Sequence, residues 1–318
     1  MNIQLVTPAP LRFNNGNKIT AIRWAKIFRA LGHRVKILQN YDDKPCDVLI
    51  ALHARRSYHS IRRFHKLYPE RALIVVLTGT DLYRDLHSHR NAQRSLNLAT
   101  RIVALQKMAL AELSESLHSK TRVIYQSAEP CLSVNSTNGR DAFKVSVIGH
   151  LRNEKDPLRT ALATRRLPKQ SHIEVQHIGR ALDEHLERRA RAETARNPRY
   201  RWVGELPHGK TRRILAQSDL TVISSHMEGS SNVLSEALAC AVPVIASKIP
   251  GLMGTLGTEY PGYFAAGDTV ALSEMLSRAE SDAKFYGSLK SICKRLSPLV
   301  SPKRESAAWK QLLQEVRQ

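Results

Sequence analysis

The chain has 318 residues, with 49 Lys or Arg against 28 Asp or Glu, and a formal net charge of +21. This length exceeds one typical core and suits two domains of ordinary size, and hydrophobic residues, at 42%, are sufficient to fill both. The sequence contains no apolar run of about eighteen residues and no basic segment leading into an apolar one. We therefore expect no membrane span and no signal peptide, and predict a cytoplasmic protein.

The strong positive charge attracts polyanions, so nucleic acid is a ligand class to weigh. The basic residues, however, are spread as pairs over several predicted helices, and no helix-turn-helix, zinc-finger or ribonucleoprotein motif is present. The pattern predicts no nucleic acid as the main ligand.

The four cysteines are Cys46, Cys131, Cys240 and Cys293. They lie far apart along the chain and show no paired ligand spacing, which disfavours a disulfide framework and a zinc site. We expect free thiols and no bound metal.

The first half alternates short apolar runs with helical patterns, as is typical of a parallel sheet covered by helices. The predicted strands are 3–6, 35–38, 48–52, 73–77, 102–105 and 122–125. The predicted helices are 19–31, 61–67 and 92–99.

The second half repeats this scheme after a polar stretch, SVNSTNGRD at 133–141, that lacks periodicity. The predicted strands here are 145–148, 173–178, 220–223 and 242–246, and a last helix is predicted over 303–316. The expected fold class is α/β, with two Rossmann-like, doubly wound parallel-sheet domains facing a cleft. The predicted divisions are an N-terminal domain over 1–132, a linker over 133–142, a C-terminal domain over 143–300 and a C-terminal helix over 301–318.

One segment between two predicted strands, HMEGSSNVLSEALAC at 226–240, places two glutamates around small polar residues. The first glutamate and its glycine fall in a loop, the serines and asparagine suit a helix cap, and the second glutamate falls in the helix. A helix start offers N–H groups and partial positive charge to a phosphate, and carboxylates accept hydrogen bonds from hydroxyls. The candidates for a phosphorylated, hydroxyl-rich ligand are Glu228, Gly229, Ser231, Asn232, Val233 and Glu236.

A second segment, VIGHLRNEKDP at 147–157, ends a strand in Gly149 and predicts a helix beginning near Asp156. The glycine allows close backbone approach, and the cationic side chains that follow suit a diphosphate. The candidates are Gly149, His150, Arg152, Lys155 and, after the next strand, Arg180.

Polar residues also follow three strands of the first half, where the carboxyl ends of parallel strands meet at one edge. The candidates are Asn15, Gly16 and Asn17 in the loop 7–18, His53, Arg55 and Arg56 after the strand 48–52, and Thr78, Gly79, Thr80 and Arg84 after the strand 73–77. For His53 a structural role fits the sequence as well as a ligand-binding one.

No nucleophile elbow, HExxH helix, Walker loop or complete GxGxxG fingerprint is present, which disfavours hydrolases, zinc proteases, P-loop enzymes and nicotinamide dehydrogenases.

These segments together resemble the GT-B glycosyltransferases, and glycosyltransferase family 4 in particular. The stretch from Glu228 to Ala246 is similar to the E-x7-E region of that family, 149–155 to its G-R-L-x-x-x-K segment, and 78–81 to its H-G-T-D loop. The resemblance implies a donor domain in the second half and an acceptor domain in the first. It implies that Lys155 contacts the donor diphosphate, Glu236 the ribose hydroxyls and Glu228 the transferred sugar, with the backbone N–H groups of Asn232 and Val233 on phosphate.

Two positions depart from the family pattern: His150 stands where Arg is usual, and Thr78 where His is usual. The first departure shifts diphosphate contact toward Arg152 or Arg180, and the second removes a familiar sugar-contacting group.

A narrower resemblance, carried by MNIQLVTPAP, ALHARRS, LTGTDLYRDL, RVIYQSAEP, NPRYRWVGELP and EYPGYF, is to the selenosugar synthases of selenoneine biosynthesis. It implies transfer of a sugar from UDP-N-acetylglucosamine or UDP-glucose to selenophosphate through a carbon–selenium bond. It implies no further cofactor, and other enzymes of the selenoneine pathway as possible partners. The candidates for holding the acceptor phosphate are Arg55, Arg56, Arg84 and the Asn15-Gly16-Asn17 loop.

Four matters stay open at this level. An ordinary GT-B transferase with an alcohol acceptor is one alternative, and a non-catalytic nucleic-acid-binding protein on a degenerate transferase fold is another. The sequence also leaves undecided which sugar is preferred and whether the anomeric configuration is retained or inverted.

Overall fold

A computed structural model of the protein describes residues 1–8, 16–131 and 142–317. Contacts between residues divide the chain into two compact units. Unit 1 comprises Met1–Gln126, Glu228–Ser230 and Pro302–Gln318, and unit 2 comprises Ser127–Met227 and Ser231–Ser301.

Unit 1 is built on a six-stranded parallel sheet with the strand order β2-β1-β3-β4-β5-β6. The strands are β1 Asn2–Val6, β2 Arg34–Leu38, β3 Val48–Leu52, β4 Ala72–Val76, β5 Arg101–Ala104 and β6 Thr121–Val123. Every residue of β3 and β4 is buried, because helices cover both faces of the sheet.

The helices of unit 1 follow the strands along the chain. They are α1 Gly16–Ala30, α2 Tyr58–Leu67, α3 Leu86–Ser88, α4 Arg90–Leu98, α5 Glu115–His118 and α13 Pro302–Glu315, with a π-helical turn over Asp81–Asp85 and a 3₁₀ turn over Lys107–Glu112.

The last helix, α13, belongs to unit 1 through a buried aromatic cluster. Its Trp309 contacts Trp24 and Phe28 of α1, with ring centroids 4.7 and 5.0 Å apart. The buried carboxylate of Glu305 accepts hydrogen bonds from the Trp24 indole at 2.6 Å and from Arg23 at 3.0 Å. The sequence pattern did not assign this helix to either domain, and burial of the cluster explains its position.

Unit 2 is built on a second six-stranded parallel sheet, with the order β12-β11-β10-β7-β8-β9. Its strands are β7 Phe143–Ile148, β8 Ile173–Ile178, β9 Tyr200–Trp202, β10 Leu220–Ile223, β11 Val244–Ser247 and β12 Tyr263–Phe264. Its helices are α6 Arg159–Thr164, α7 Glu184–Arg196, α8 His208–Ala216, α9 Asn232–Ala239, α10 Pro250–Leu256, α11 Thr269–Ser281 and α12 Ala283–Leu296, with 3₁₀ turns over Asn153–Lys155 and Ser297–Val300.

The strand order of unit 2 reverses direction between β7 and β10, because β8 and β9 lie on one side of β7 while β10 to β12 lie on the other. Ligands of doubly wound sheets bind at such a switch point, beyond the carboxyl ends of the strands. In unit 1 the same reversal lies between β1 and β3.

The predicted α/β class with two parallel sheets is confirmed. Three details were wrong. Helix α1 begins at Gly16, so Gly16 and Asn17 lie in its first turn and not in a preceding loop, while Asn15 lies outside the described residues. The helix predicted near Asp156 begins at Arg159, because Asp156 itself has a left-handed φ of 43° after a 3₁₀ turn. The strand predicted from 242 begins at Val244, since Pro243 has no N–H for the ladder.

The expectation of four free thiols was also wrong. Cys131 and Cys240 form a disulfide within unit 2, whereas Cys46 and Cys293 are free and buried. A pairing across 109 residues leaves no signal in sequence spacing.

Across the described part of the chain, no helix is both long and apolar enough to cross a membrane. The predicted domain borders at 132, 142 and 300 remain predictions, and the proposed linker falls almost entirely on residues that the structure does not describe.

Candidate functional site

The loops that follow β7 and β8 touch through their backbones. A Cβ atom on Gly179 would lie 1.9 Å from the carbonyl oxygen of Gly149, so only glycine fits at position 179. Gly149 in turn packs beside the stem of Lys155, whose Cγ and Cδ atoms would lie 3.9 Å from a Cβ added to Gly149. The structure therefore brings the predicted Gly149 and Lys155 together at the switch point of unit 2.

Two side chains beneath these loops, the buried His177 and the partly buried Trp202, hold their carbonyl groups. His177 Nε2 lies 3.1 Å from the carbonyl oxygen of Gly149, and Trp202 Nε1 donates to the carbonyl of Gly179 at 2.8 Å. His177 Nδ1 lies 2.7 Å from the Tyr200 hydroxyl. Burial lowers the pKa of His177 to about 4, which favours a neutral ring that donates from Nε2 and accepts from Tyr200.

His150 replaces the usual arginine of the family pattern, and its ring orientation is fixed by the neighbouring loop. The backbone N–H of Arg180 donates to His150 Nδ1 at 3.0 Å. Because Nδ1 accepts in this arrangement, a neutral His150 carries its proton on Nε2. The cationic side chains of this loop region are those of Arg152, Lys155 and Arg180.

The loop carrying Lys155 is joined to the loop after β10. Ser224 Oγ donates to the carbonyls of Lys155 at 3.2 Å and Asp156 at 2.9 Å, and His226 N–H donates to the carbonyl of Glu154 at 2.9 Å. The two loops flank the switch point and are held as one piece. This arrangement places the backbone of Lys155 beside Ser224 at the end of β10.

Helix α9 begins as the sequence predicted. Ser231 is its N-cap, with a side-chain oxygen that accepts from Leu234 N–H at 3.4 Å, and Asn232 and Val233 form the first turn. Glu236 lies on the second turn, and its Oε1 is 2.8 Å from His208 Nε2 on α8. The Glu236 side chain is only 13% exposed, whereas that of His208 is 62% exposed. The Glu236 carboxylate is therefore largely covered, and its partner His208 faces solvent.

Glu228 and Gly229 lie in the loop before α9, as predicted, and group with unit 1 by their contacts. A Cβ atom on Gly229 would lie 1.8 Å from the carbonyl oxygen of Thr78, and one on Gly79 would lie 2.7 Å from Gly229 N. Both predicted glycines are therefore required by a backbone contact. Glu228 is 8% exposed, which makes it a buried acid next to this contact.

The loop after β4 is organised by Asp81, which sequence reasoning did not select as a site residue. Its fully buried carboxylate accepts from the N–H groups of Ala54, Thr78 and Gly79, each at 2.9 Å, and from the Thr78 hydroxyl at 3.0 Å. The hydroxyl of Thr78 is therefore engaged within the loop. A buried carboxylate with several donors gives a rigid turn.

His53 is buried at the end of β3 and adopts a left-handed φ of 70°, an uncommon conformation that its neighbours maintain. Its Nδ1 accepts from Arg56 N–H at 3.3 Å, and its Nε2 lies 3.0 Å from Thr80 Oγ1. Burial is the main cause that lowers the pKa of His53, and the charge of Arg56 adds to it. A neutral His53 that donates to Thr80 is the arrangement these contacts favour.

Two predicted acceptor residues, Arg55 and Arg84, converge on one buried carboxylate. Each donates to Asp85 Oδ1 at 3.2 Å, while their side chains remain 41% and 47% exposed. Burial alone would raise the pKa of Asp85, but the hydrogen bond from Arg84 and the charge of Arg55 outweigh it and lower that pKa. Asp85 Oδ2 is buried and has no hydrogen-bond partner among the described residues.

The structure thus assembles the predicted residues as two groups, described separately. Unit 2 holds Gly149, His150, Lys155, Arg180, Ser231, Asn232, Val233 and Glu236 around the β7 and β10 loops, with Arg152 exposed at the start of the 3₁₀ turn. Unit 1 holds His53, Arg55, Arg56, Thr78, Gly79, Thr80, Arg84, Glu228 and Gly229 around the β3 and β4 loops. Sequence reasoning missed His177, although the alternation of Ile173, Val175 and His177 along β8 places it on a buried face. Within the described residues, no group of three or more His, Cys, Asp or Glu could hold a metal ion.

Comparison with known proteins supports the same interpretation. The chain is similar over its whole length to the crystal structure of Anabaena Alr3699/HepE in complex with UDP and glucose, with a TM-score of 0.78, 17% identity and coverage of 99% of this chain and 100% of that one. This likeness confirms the GT-B fold.

The relatives by sequence among curated proteins include two glycosyltransferases. A putative teichuronic acid biosynthesis glycosyltransferase, TuaC of Bacillus subtilis, is 33% identical over 80 residues, which cover 25% of this chain and 21% of TuaC. The phosphatidylinositol N-acetylglucosaminyltransferase GPI3 subunit of Saccharomyces cerevisiae is 26% identical over 177 residues, which cover 52% of this chain and 38% of that subunit. The chain therefore matches less than half of the length of either relative.

The model of the family "Glycosyl transferases group 1" matches residues 134–294, which is half of the chain and includes the Gly149 loop, Lys155 and the segment from Glu228 to Glu236. The protein therefore belongs to the glycosyl transferases group 1 family.

Proposed function

We propose that this glycosyltransferase transfers a sugar from UDP-N-acetylglucosamine or UDP-glucose to selenophosphate in selenoneine biosynthesis. Selenium, already anionic in selenophosphate, supplies the electron pair that forms the carbon–selenium bond at the anomeric carbon. The bond from that carbon to the UDP oxygen breaks, and UDP leaves with the electron pair. No other reactant is needed.

The donor side of the proposal rests on unit 2. Lys155 lies beside Gly149 at the switch point, and α9 begins at Asn232 with the partial positive charge of a helix start. Both features stabilise the negative charge that develops on a departing diphosphate. The solved structure of Alr3699/HepE contains UDP, which supports a uridine nucleotide here.

The acceptor side rests on one observation, the convergence of Arg55 and Arg84 on Asp85 at the carboxyl edge of the unit 1 sheet. Two half-exposed guanidinium groups fixed by one buried carboxylate form a preorganised anion site, and arginine suits the oxygens of a phosphate. A neutral sugar or lipid hydroxyl would not require this charge.

The chemistry at position 78 fits the same acceptor. An alcohol must lose a proton as it attacks, so a transferase for alcohols benefits from a positioned base. Thr78 is no such base, and its hydroxyl already donates to Asp81. An acceptor that is anionic before it binds does not require a base.

The test is mass spectrometry of purified protein incubated with selenophosphate and each UDP-sugar. We expect UDP release together with a product that carries the isotope pattern of selenium. Glu228→Gln and Lys155→Ala should abolish the product, whereas Lys290→Ala, which removes an exposed lysine on α12, should not. Release of UDP with oxygen-linked products alone would replace the proposal with an alcohol acceptor.

The acceptor residues are tested by steady-state kinetics. Arg55→Ala and Arg56→Ala should raise the KM for selenophosphate and leave the KM for the UDP-sugar unchanged. Arg62→Ala, which removes an exposed arginine on α2, is the matched control. An unchanged selenophosphate KM in both variants would exclude these residues from the acceptor site. Absence of turnover together with salt-dependent RNA binding would favour the nucleic-acid-binding alternative.

A further inference from the structure

The disulfide between Cys131 and Cys240 has a cation beside both sulfur atoms. Arg212 Nη2, on α8, lies 3.5 Å from Cys131 Sγ and 3.9 Å from Cys240 Sγ, and it also donates to the carbonyl of Glu129. Arg212 Nε is buried and has no hydrogen-bond partner among the described residues. Through Nη2, the positively charged guanidinium of Arg212 lies beside both sulfur atoms.

We propose that Cys131 and Cys240 form a redox-active dithiol, activated by Arg212, that reacts with hydrogen peroxide. A cation next to a thiol stabilises the thiolate, which is the reactive form. Both cysteines are partly exposed, so a small oxidant can reach them. The proposal does not depend on the function proposed above, since neither the cysteines nor Arg212 belong to the residues proposed to bind the substrates.

The positions of the two cysteines indicate which one attacks the peroxide and which one completes the disulfide. Cys240 caps the carboxyl end of α9, where the partial negative charge of the helix disfavours a thiolate. Cys131 lies outside any helix and is the nearer of the two to Arg212. Cys131 is therefore the attacking thiolate, and Cys240 is the resolving thiol.

The reaction balances in two steps. The Cys131 thiolate attacks one peroxide oxygen, the O–O bond breaks, and a sulfenic acid forms as hydroxide leaves and takes up a proton. The Cys240 sulfur then attacks the sulfenic sulfur, the disulfide forms, and the sulfenic oxygen leaves as water. The two thiols lose two electrons in total, and one peroxide becomes two waters. The resulting disulfide links Cys131 covalently to Cys240 at the carboxyl end of α9.

The chain contains its own controls in Cys46 and Cys293. Both are buried free thiols, and burial raises the pKa of Cys46 to about 11 and also raises the pKa of Cys293. We expect neither to react while the protein is folded.

The experiment uses reduced full-length protein treated with hydrogen peroxide and mapped by peptide mass spectrometry. We expect a Cys131–Cys240 linked peptide lighter by two hydrogens, with Cys46 and Cys293 alkylated only after unfolding. Dimedone, which captures sulfenic acids, should label Cys131 in the Cys240→Ser variant but leave Cys240 largely unlabelled in the Cys131→Ser variant. Equal labelling in both variants would overturn the assigned roles.

Arg212 is tested by the rate of disulfide formation. Loss of its charge removes a group that stabilises the thiolate, so oxidation should slow about tenfold in Arg212→Gln. Arg212→Lys, which restores a cation, should recover most of the rate and controls for a loss of packing. Wild-type rates in Arg212→Gln, or oxidation of Cys46 and Cys293 as fast as of Cys131, would refute the proposal.

Discussion

Gly229 packs so closely on Thr78 that no side chain fits between the two backbones. A Cβ on Gly229 would lie 1.8 Å from the Thr78 carbonyl oxygen and 2.2 Å from its carbon. Backbone atoms cannot move aside as a flexible side chain can, so the loop that carries Glu228 must shift in Gly229→Ala. We expect at least a tenfold loss of kcat/KM and a destabilisation of about 1–3 kcal/mol, the usual cost of overpacking.

The matched control is Gly287→Ala in α12. A Cβ added to Gly287 meets nothing within 4 Å, and alanine is favoured over glycine inside a helix by about 0.5–1 kcal/mol. This variant should keep full activity and melt at the same or a higher temperature. Wild-type activity in Gly229→Ala would show that the contact with Thr78 does not position the loop.

Glu236 provides a prediction about the donor ribose, which depends on the proposed UDP-sugar. A hydrogen bond to a charged group contributes about 1.5–3 kcal/mol, so Glu236→Gln should weaken UDP binding about 10-fold to 100-fold. Titration calorimetry with UDP and with its 2′,3′-dideoxy analogue separates the contribution of the ribose. The variant should lose affinity for UDP while binding the analogue as the wild type does.

His208 tests whether the partner of Glu236 matters to the same degree. Its side chain is 62% exposed, and ion pairs at exposed positions contribute at most about 1 kcal/mol. His208→Ala should therefore change UDP affinity less than about fivefold. A loss as large as that of Glu236→Gln would assign His208 a direct role in holding the nucleotide.

The buried ring of His177 makes the free energy of unfolding depend on pH. The pKa of His177 is about 4 in the folded protein against an ordinary value of 6.5, so the unfolded chain binds more protons between these values. Its contribution to stability is complete above pH 6.5 and is lost as the pH falls toward 4, by about 3 kcal/mol in total. Burial also lowers the pKa of His53, so the wild-type profile contains both groups.

The measurement is urea unfolding between pH 4 and 7 for the wild type and for His177→Gln. Glutamine can still donate to the Gly149 carbonyl but does not titrate. The difference between the two profiles isolates His177 and should shrink steadily toward acid pH. Parallel profiles would show that the ring is not held neutral by burial.

The sequence predicts best the parts of the fold that depend on one local pattern. The strands Val48–Leu52, Ile173–Ile178 and Leu220–Ile223 match their predicted ranges. Val48–Leu52 is a continuous apolar run, as is typical of a parallel strand buried on both faces, whereas Ile173–Ile178 alternates buried and more exposed residues. The two-residue strand Tyr263–Phe264 is too short to leave such a pattern, and it exists because it pairs with β11.

The candidate site likewise contains parts that follow local sequence patterns and parts that depend on distant contacts. The cap at Ser231 follows local rules, and the structure places it where the sequence predicted. The π-helical turn over Asp81–Asp85 instead depends on hydrogen bonds that the Asp81 carboxylate accepts. The donors are the N–H of Ala54, 27 residues earlier, and the N–H groups of Thr78 and Gly79 in the same loop. Hydrogen bonds that join distant segments leave no periodicity, which is why the sequence did not reveal that Asp81 holds this turn or that Asp85 accepts from two arginines.

Asp85 provides the last prediction, because it determines where the two arginines of the proposed acceptor site point. Its carboxylate is 1% exposed and accepts from Arg55 and Arg84, so Asp85→Asn should release both guanidinium groups from their shared position. A preorganised site binds more tightly than a mobile one, and we expect the KM for selenophosphate to rise about tenfold with the UDP-sugar KM unchanged. Asp43→Asn is the matched control, since Asp43 pairs with Arg63 in the same unit while both side chains are at least 50% exposed. The measurement is steady-state kinetics of the two variants with both substrates. Equal effects on the acceptor KM would show that Asp85 does not orient the arginines. A change confined to Asp85→Asn would link this buried carboxylate to acceptor binding.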